Sequence, residues 1–303
     1  MMAKHNWDPV AASTVHCVIG CSLYFFGEYA QALTYFRRAQ IVRSGMDYTI
    51  MARCFSAHIL WLQGLLDQSA RSARDVLSDA EAAGHPASLC QALLWCGCRI
   101  PLRLGDLQTA ERSVALVKDI AGKQGFSSYH ALGVGYEGEL CARRGDANAG
   151  ARLLRASLAA LRGSEYGHIY TACLTLLAEV LALAGDTAES FAVAAESLAR
   201  AERSEAFWWM PEALRVKGET VLLQDGADMT AAEDHFRRSL DWARRQKAAS
   251  WQLRTAMSLA RLLRRLGRRA EAHDVLASAY GGFSEGFGFA DLRAAKQLLD
   301  EAG

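Results

Sequence analysis

Proline is nearly missing from this chain, with four in 303 residues. So few breakers, together with abundant Ala, Leu, Arg and Glu, favour long helices. No run of 18 uncharged apolar residues occurs, so no membrane-spanning helix is predicted. Neither sign of charge prevails: 34 Lys and Arg face 33 Asp and Glu, a formal charge of +1. That balance excludes a global field drawing the protein to nucleic acid or to a membrane surface. Met1 to Pro9 lacks a charged start followed by an apolar stretch, so no secretory signal is expected and a cytoplasmic setting is the default. Cysteine is not scarce, with eight at positions 17, 21, 54, 90, 96, 98, 141 and 173. In that setting they are expected as reduced thiols that serve as small packing residues.

What the chain does have is regularly placed glycine. Gly27, Gly64, Gly105, Gly145, Gly185 and Gly267 are each followed five residues on by a small residue: Ala32, Ser69, Ala110, Gly150, Ser190 and Ala272. Successive turns lie 37, 41, 40 and 40 residues apart, and the last interval of 82 is halved by a missing copy near Gly226. A period near 40 means a stacked array of helix pairs and not one globular core. In the first unit a helix from about Ala12 to Phe26 ends at Gly27, and a second runs from about Glu28 to Arg43. Gly20 and Ala32, twelve apart, allow close approach, while Tyr29, Phe36 and Ala39 form an apolar stripe. In the next units Gly105-Asp106, Gly145-Asp146 and Gly185-Asp186 pair a helix-ending glycine with a helix-capping aspartate.

Seven helix pairs are expected, at about 10–44, 46–83, 86–122, 126–162, 166–203, 207–246 and 248–280, with a C-terminal cap in 281–303. The fold class is all-α: one right-handed superhelical solenoid. Pro101, inside the first helix of the third pair, predicts a kink or an early helix end.

The residues Gly27, Tyr29, Ala32, Phe36 and Ala39, with Gly20 before them, resemble the tetratricopeptide repeat (TPR). A second resemblance lies in the last hundred residues: 211–219 (PEALRVKGE), 231–240 (AAEDHFRRSL), 250–262 (SWQLRTAMSLARL), 280–287 (YGGFSEGF) and 290–299 (ADLRAAKQLL). These look like the C-terminal repeats of large bacterial regulators that carry a winged-helix or nucleotide-cyclase domain, a STAND/AAA-type ATPase and then helical repeats. The resemblance implies a non-catalytic module that binds a protein, a peptide or a small-molecule inducer and relays the event to an ATPase and output domain. No G-x-x-x-x-G-K-[ST] loop occurs, so that ATPase is not in this sequence. A stand-alone adaptor that scaffolds two proteins is the alternative.

Other motifs point to chemistry but lack its context. Gly133, Gly135 and Gly138 satisfy G-x-G-x-x-G, yet they fall inside a predicted helix and do not follow a strand. Gly282, Ser284 and Gly286 satisfy G-x-S-x-G, but no histidine follows His273, which leaves a hydrolase using Ser284 as a remote alternative. Cys96, Cys98 and His85 lack the spacing of a zinc site. No cofactor, metal or catalytic residue is expected. The stretch 237–269 holds eleven Lys or Arg and one acid, Asp241, and reads as the solvated exterior of two helices and not a nucleic-acid surface.

First helices of such pairs line a concave groove. The TPR offsets place Tyr24, His58, Trp61, Trp95, Arg99, Arg103, Glu139, Arg143, Glu179, Arg215, Glu219, Arg261 and Arg264 along it. Aromatics gather at its N-terminal end and charges toward its C-terminal end, an arrangement that suits an elongated peptide. Phe207-Trp208-Trp209-Met210 is expected to plug the gap between the fifth and sixth pairs.

Overall fold

The computed structural model describes residues 9–39, 48–163, 167–204 and 207–301. The sequence expectations for 1–8, 40–47, 164–166, 205–206 and 302–303 lie outside the described residues. Within them the chain is helical, with no strand. Its helices are α1 (Pro9–Phe25), α2 (Tyr29–Phe36), α3 (Tyr48–Leu62), α4 (Leu66–Ala83), α5 (Pro86–Ala92), α6 (Ile100–Leu104), α7 (Leu107–Gln124) and α8 (Ser127–Arg143). There follow α9 (Ala147–Leu161), α10 (Gly167–Ala184), α11 (Thr187–Ser204), α12 (Met210–Val221), α13 (Met229–Arg245), α14 (Ala249–Arg265), α15 (Arg269–Tyr280) and α16 (Ala290–Asp300). A π-helical segment, Leu93–Arg99, joins α5 to α6, and a 3-10 turn, Phe207–Trp209, precedes α12. Consecutive helices fold back as hairpins: α1 on α2, α3 on α4, α8 on α9, α10 on α11, α12 on α13 and α14 on α15.

Each of the six turn glycines has φ between 78° and 96°, the left-handed conformation that closes a helix at little cost to glycine alone. The caps are equally local. Asp106, Asp146 and Asp186 accept from the backbone N–H three residues on at 3.0, 2.9 and 3.3 Å, and Asp228 does the same for Ala231 at 2.9 Å.

Between the two helices of a hairpin, buried small residues recur at an offset of twelve residues. The pairs are Gly20/Ala32, Ala57/Ser69, Cys98/Ala110, Gly138/Gly150, Ala178/Ser190, Thr220/Ala232 and Ala260/Ala272, all buried. The serines that depart from the TPR preference for alanine have a physical role. Ser69 Oγ donates to the Ala57 carbonyl at 2.8 Å, and Ser190 Oγ to the Ala178 carbonyl at 2.7 Å, binding each helix to its partner's backbone. Gly138 and Gly150 bring the backbones nearest. A Cβ on Gly150 would stand 2.7 Å from the Gly138 carbonyl oxygen, so the glycines of the G-x-G-x-x-G match serve helix packing within α8.

Two local expectations need correction. The second helix of the first pair, expected from Glu28, ends at Phe36; Arg38 and Ala39 donate to the carbonyls of Tyr35 and Phe36, a tightened final turn that ends it, and the expected end at Arg43 lies outside the described residues. Pro101 produces the π segment and not an early end: it has no N–H to donate one turn back, and the ladder widens ahead of it. Residues 90–104 are buried on every side, so this interrupted helix runs through the middle of the molecule.

The molecule is also rolled onto itself. Ser250 Oγ donates to the Trp61 carbonyl and Tyr29 Oη to the Trp208 carbonyl at 3.1 Å. The 281–289 turn clasps the start of α4. Glu285 accepts from the Gln68 backbone N–H at 2.9 Å, and Gly286 N–H donates to Asp67 at 3.1 Å. Glu285 thus caps a helix 217 residues away in sequence. Phe283 packs on Gly64, where a Cβ would come within 2.9 Å of its ring.

Candidate functional site: the interior groove

The first helices of the hairpins face a common interior. Its N-terminal end is a closed circuit of rings drawn from α1, α3, the π segment, the 207–209 turn and α14. Trp61 meets Trp251 at 4.8 Å, Trp251 meets Trp209 at 5.1 Å, and Trp209 meets Trp208 at 4.8 Å. Trp208 lies 6.1 Å from Trp95, Trp95 5.8 Å from Tyr24, and His58 stacks on Trp61 at 5.4 Å. The Tyr24 hydroxyl and His58 Nδ1 share a hydrogen bond of 2.8 Å and complete the circuit. Burial, with Arg99 and Arg103 nearby, holds the His58 pKa well below its ordinary value, so the imidazole is neutral. Edge-to-face and offset ring pairs of this kind each add about 1 kcal/mol beyond the area they bury.

The C-terminal end is ionic. Arg103 lies 3.5 Å from Glu139, which also accepts from Arg143 at 2.9 Å. Arg215 reaches Glu212 at 2.8 Å and Glu179 at 2.6 Å, while Arg254 reaches Glu212 at 2.9 Å and Asp291 at 3.3 Å. Ser258 donates to Glu219. Burial raises the carboxyl pKa of Glu212, but Arg215 and Arg254 outweigh it and leave the group well below the carboxylate range. Glu139 is likewise lowered against its burial, by Arg103 and Arg143. One set of pairs ties α6 to α8, and the other ties α10, α12, α14 and α16 together.

The sequence-derived groove residues are therefore placed as follows. Tyr24, His58, Trp61, Trp95, Arg99, Arg103, Glu139 and Arg215 are buried against one another in the interior. Arg143, Glu179 and Glu219 belong to the ionic layer and are partly open to solvent. Arg264 reaches the other way, to Glu301 at 3.6 Å, and Arg261 is exposed. The Phe207–Trp209 turn packs against α11 and α12, between the fifth and sixth hairpins, and also reaches across the interior to Tyr24, Phe25 and Trp95. Within the basic stretch, Arg237 and Arg268 share Glu233 and Glu271, Arg238 pairs with Glu202, and Arg244 pairs with Asp241, so much of its charge is answered locally. Ser284 is exposed in the clasping turn. The described residues contain no cluster of three or more groups that could hold a metal ion, and no helix among them is long and apolar enough to cross a membrane.

Between the ring circuit and α8 an unfilled groove of about 440 Å³ remains. Val18, Ser22 and Phe25 of α1, Met51 and Phe55 of α3, and Gln91 of α5 form one side. Leu94, Trp95 and Arg99 of the π segment, with Tyr129, Leu132 and Tyr136 of α8, form the other. A smaller recess beside it is bounded by Arg99, Arg103, Glu139 and Trp209. The TPR offsets located Trp95 and Arg99. They missed Gln91, Leu94 and Tyr136.

A scan against protein-family models finds none that matches, and a search of the curated proteins finds none either. Solved structures do share the fold. The apo form of RapI superposes with a TM-score of 0.60 at 10% identity, covering 95% of this chain and 99% of that one. NprR in complex with its cognate peptide NprX gives 0.61 at 12% identity, over 99% of this chain and 86% of that one. A STAND protein with a tetratricopeptide-repeat sensor from Pyrococcus horikoshii gives 0.55 at 13% identity, over 95% of this chain and 45% of that one. The chain has a TPR-like helical-repeat fold, which it shares with these structures.

Proposed function

We propose that this protein is a regulatory binding module whose ligand is a short peptide held in the interior groove. The observation that carries the reading is the groove itself. About 440 Å³ of space stays open between α1, α3, the π segment and α8, on the inner face of a TPR-like array. Its size falls in the range of ligand pockets, and its apolar walls with a few polar groups are those of a binding site. NprR is crystallised with its cognate peptide and a Rap protein with Competence and Sporulation Factor, and both share this fold. In this reading the chain is one repeat domain that acts by binding and not by catalysis. Its output runs through other domains or partners, an ATPase among them, as the resemblance of 211–299 implies. Occupation of the groove would shift the balance between rolled and more open forms of the array in proportion to its differential affinity for them.

The test is capture of peptides from a random synthetic pool, read by mass spectrometry, with wild-type protein and Ser22→Trp. Ser22 is exposed at the groove mouth, so an indole there fills the groove while folding stability changes by only about 0.5 kcal/mol. Wild-type protein is expected to retain a distinct set of peptides and Ser22→Trp to lose it. Equal retention by both would place the binding surface elsewhere.

A further inference from the structure

Among the described residues nine large apolar side chains stand exposed, and four of them share one stripe: Val15, Val18, Ile19 and Phe26, each between 37% and 50% exposed. Helical spacing sets Val15, Val18 and Ile19 on one face of α1, with the exposed Ala11 and Ser22 between and beside them. Phe26 follows directly on α1 and still donates its N–H to the Ser22 carbonyl at 3.0 Å, so it extends the same face. Not one Asp, Glu, Lys or Arg occurs in α1.

The same face is covered in later hairpins. Setting Gly20 on Ala260, the small packing residues of the first and last hairpins, places Val15, Val18, Ile19 and Ser22 on Thr255, Ser258, Leu259 and Leu262, all four buried. Thr255 shares a hydrogen bond of 2.8 Å with Ser239 of α13, and Ser258 donates to Glu219 of α12. On α14 this face therefore receives the preceding hairpin. At the other end of the array α16 packs on α14 and α15 and turns Arg293, Lys296, Gln297 and Asp300 to solvent, the polar outer face that a terminal cap needs. The stripe on α1 has the chemistry of a covered face and not of a cap.

We propose that this stripe is a self-association surface, on which α1 of a second copy of the chain packs antiparallel. A two-fold interface must be complementary to itself. Turning one copy about an axis between Val18 and Ile19 sets large against small along the stripe: Phe26 opposite Ala11 of the second copy, Val15 opposite Ser22, and Val18 opposite Ile19. The absence of charge on α1 removes like-charge repulsion across that axis. From Ala11 to Phe26 the seam is about 22 Å long and about 10 Å wide, roughly 220 Å² a side. A stable complex covers about 800 Å² a side, so this pair is weak and forms at high protein concentration. Val18 and Ser22 also line the groove, so the second copy's α1 lies across its mouth. Val15 and Ile19 do not line it, and the pairing stands independently of the peptide reading.

The test is sedimentation velocity from about 2 µM to about 400 µM, a range that brackets a weak pair, on wild-type protein, Val15→Glu and Val15→Glu combined with Ser22→Lys. Each is first checked for a native circular dichroism spectrum. Wild-type protein is expected to move from the monomer toward the dimer mass across the range. Val15→Glu should weaken association at least tenfold. Adding Ser22→Lys places an ammonium opposite each carboxylate and should restore association to within about threefold of wild type. A monomer at every concentration would overturn the pairing and leave the stripe to a segment of a different protein. Association undiminished by Val15→Glu would overturn the role of α1, and a double variant as weak as the single one would overturn the antiparallel register.

Discussion

Lys247 lies between α13 and α14, in the kind of turn joining successive hairpins where Gly84 and Gly125 take the same left-handed conformation. It ends α13 with φ 54°, the one non-glycine residue with positive φ among those described, and its side chain is exposed. A side chain costs about 1–2 kcal/mol in that conformation and the greater freedom of an unfolded glycine takes back about 0.5–1, so Lys247→Gly is expected to raise stability by about 0.5–1 kcal/mol in chemical denaturation. A loss of stability would mean that the lysine makes a contact worth more than its backbone strain. The turn glycines themselves were legible because they repeat. Their second constraint was not. A Cβ at Gly27 would meet the Gln246 amide at 2.5 Å and one at Gly64 the Phe283 ring at 2.9 Å, whereas Gly145, Gly185 and Gly267 have open space. Those collisions come from residues some 220 positions away, which no local pattern reports.

At the scale of elements, the hairpins are set by pairs of small residues twelve apart, and these make opposite demands on the same substitution. Ser69→Ala and Ser190→Ala each remove a buried hydrogen bond to the facing helix and are expected to cost about 1 kcal/mol. Gly150→Ala would normally stabilise a helix interior by about 1 kcal/mol. Here the added methyl meets the Gly138 carbonyl, and a net loss of about 1–3 kcal/mol is expected from overpacking. Urea titrations of the three variants check the signs, and a stabilised Gly150→Ala would show that the two backbones are farther apart than described. Helix identity and hairpin register were readable from the glycine spacing, the Asp caps and these pairs. The π segment was only half readable: Pro101 announced a disturbance in its helix, but not that the ladder would absorb it by widening.

The whole molecule was least legible, since an array of repeats reads as an open spiral and this one joins its ends. Trp61 and Trp251, and the Glu285 clasp on α4, meet only because curvature accumulated over the intervening hairpins brings them together. The closed interior makes stability depend on acid. Glu139, Glu179 and Glu212 have folded pKa values below the ordinary 4.5, so their contribution is complete above that value and is lost as pH falls through the lower folded values. The melting temperature is expected to hold steady down to about pH 5 and to fall steeply below about pH 4. Replacing Arg254 by Met, which strips Glu212 of one partner, should lower it across neutral pH as well. The most direct measurement of the account is amide hydrogen exchange with and without a peptide retained from the pool. Slower exchange is expected in α1, α3, 86–104 and α8, the walls of the interior groove. Slowing confined to the outer helices α4, α7 and α9, with those walls unchanged, would contradict it.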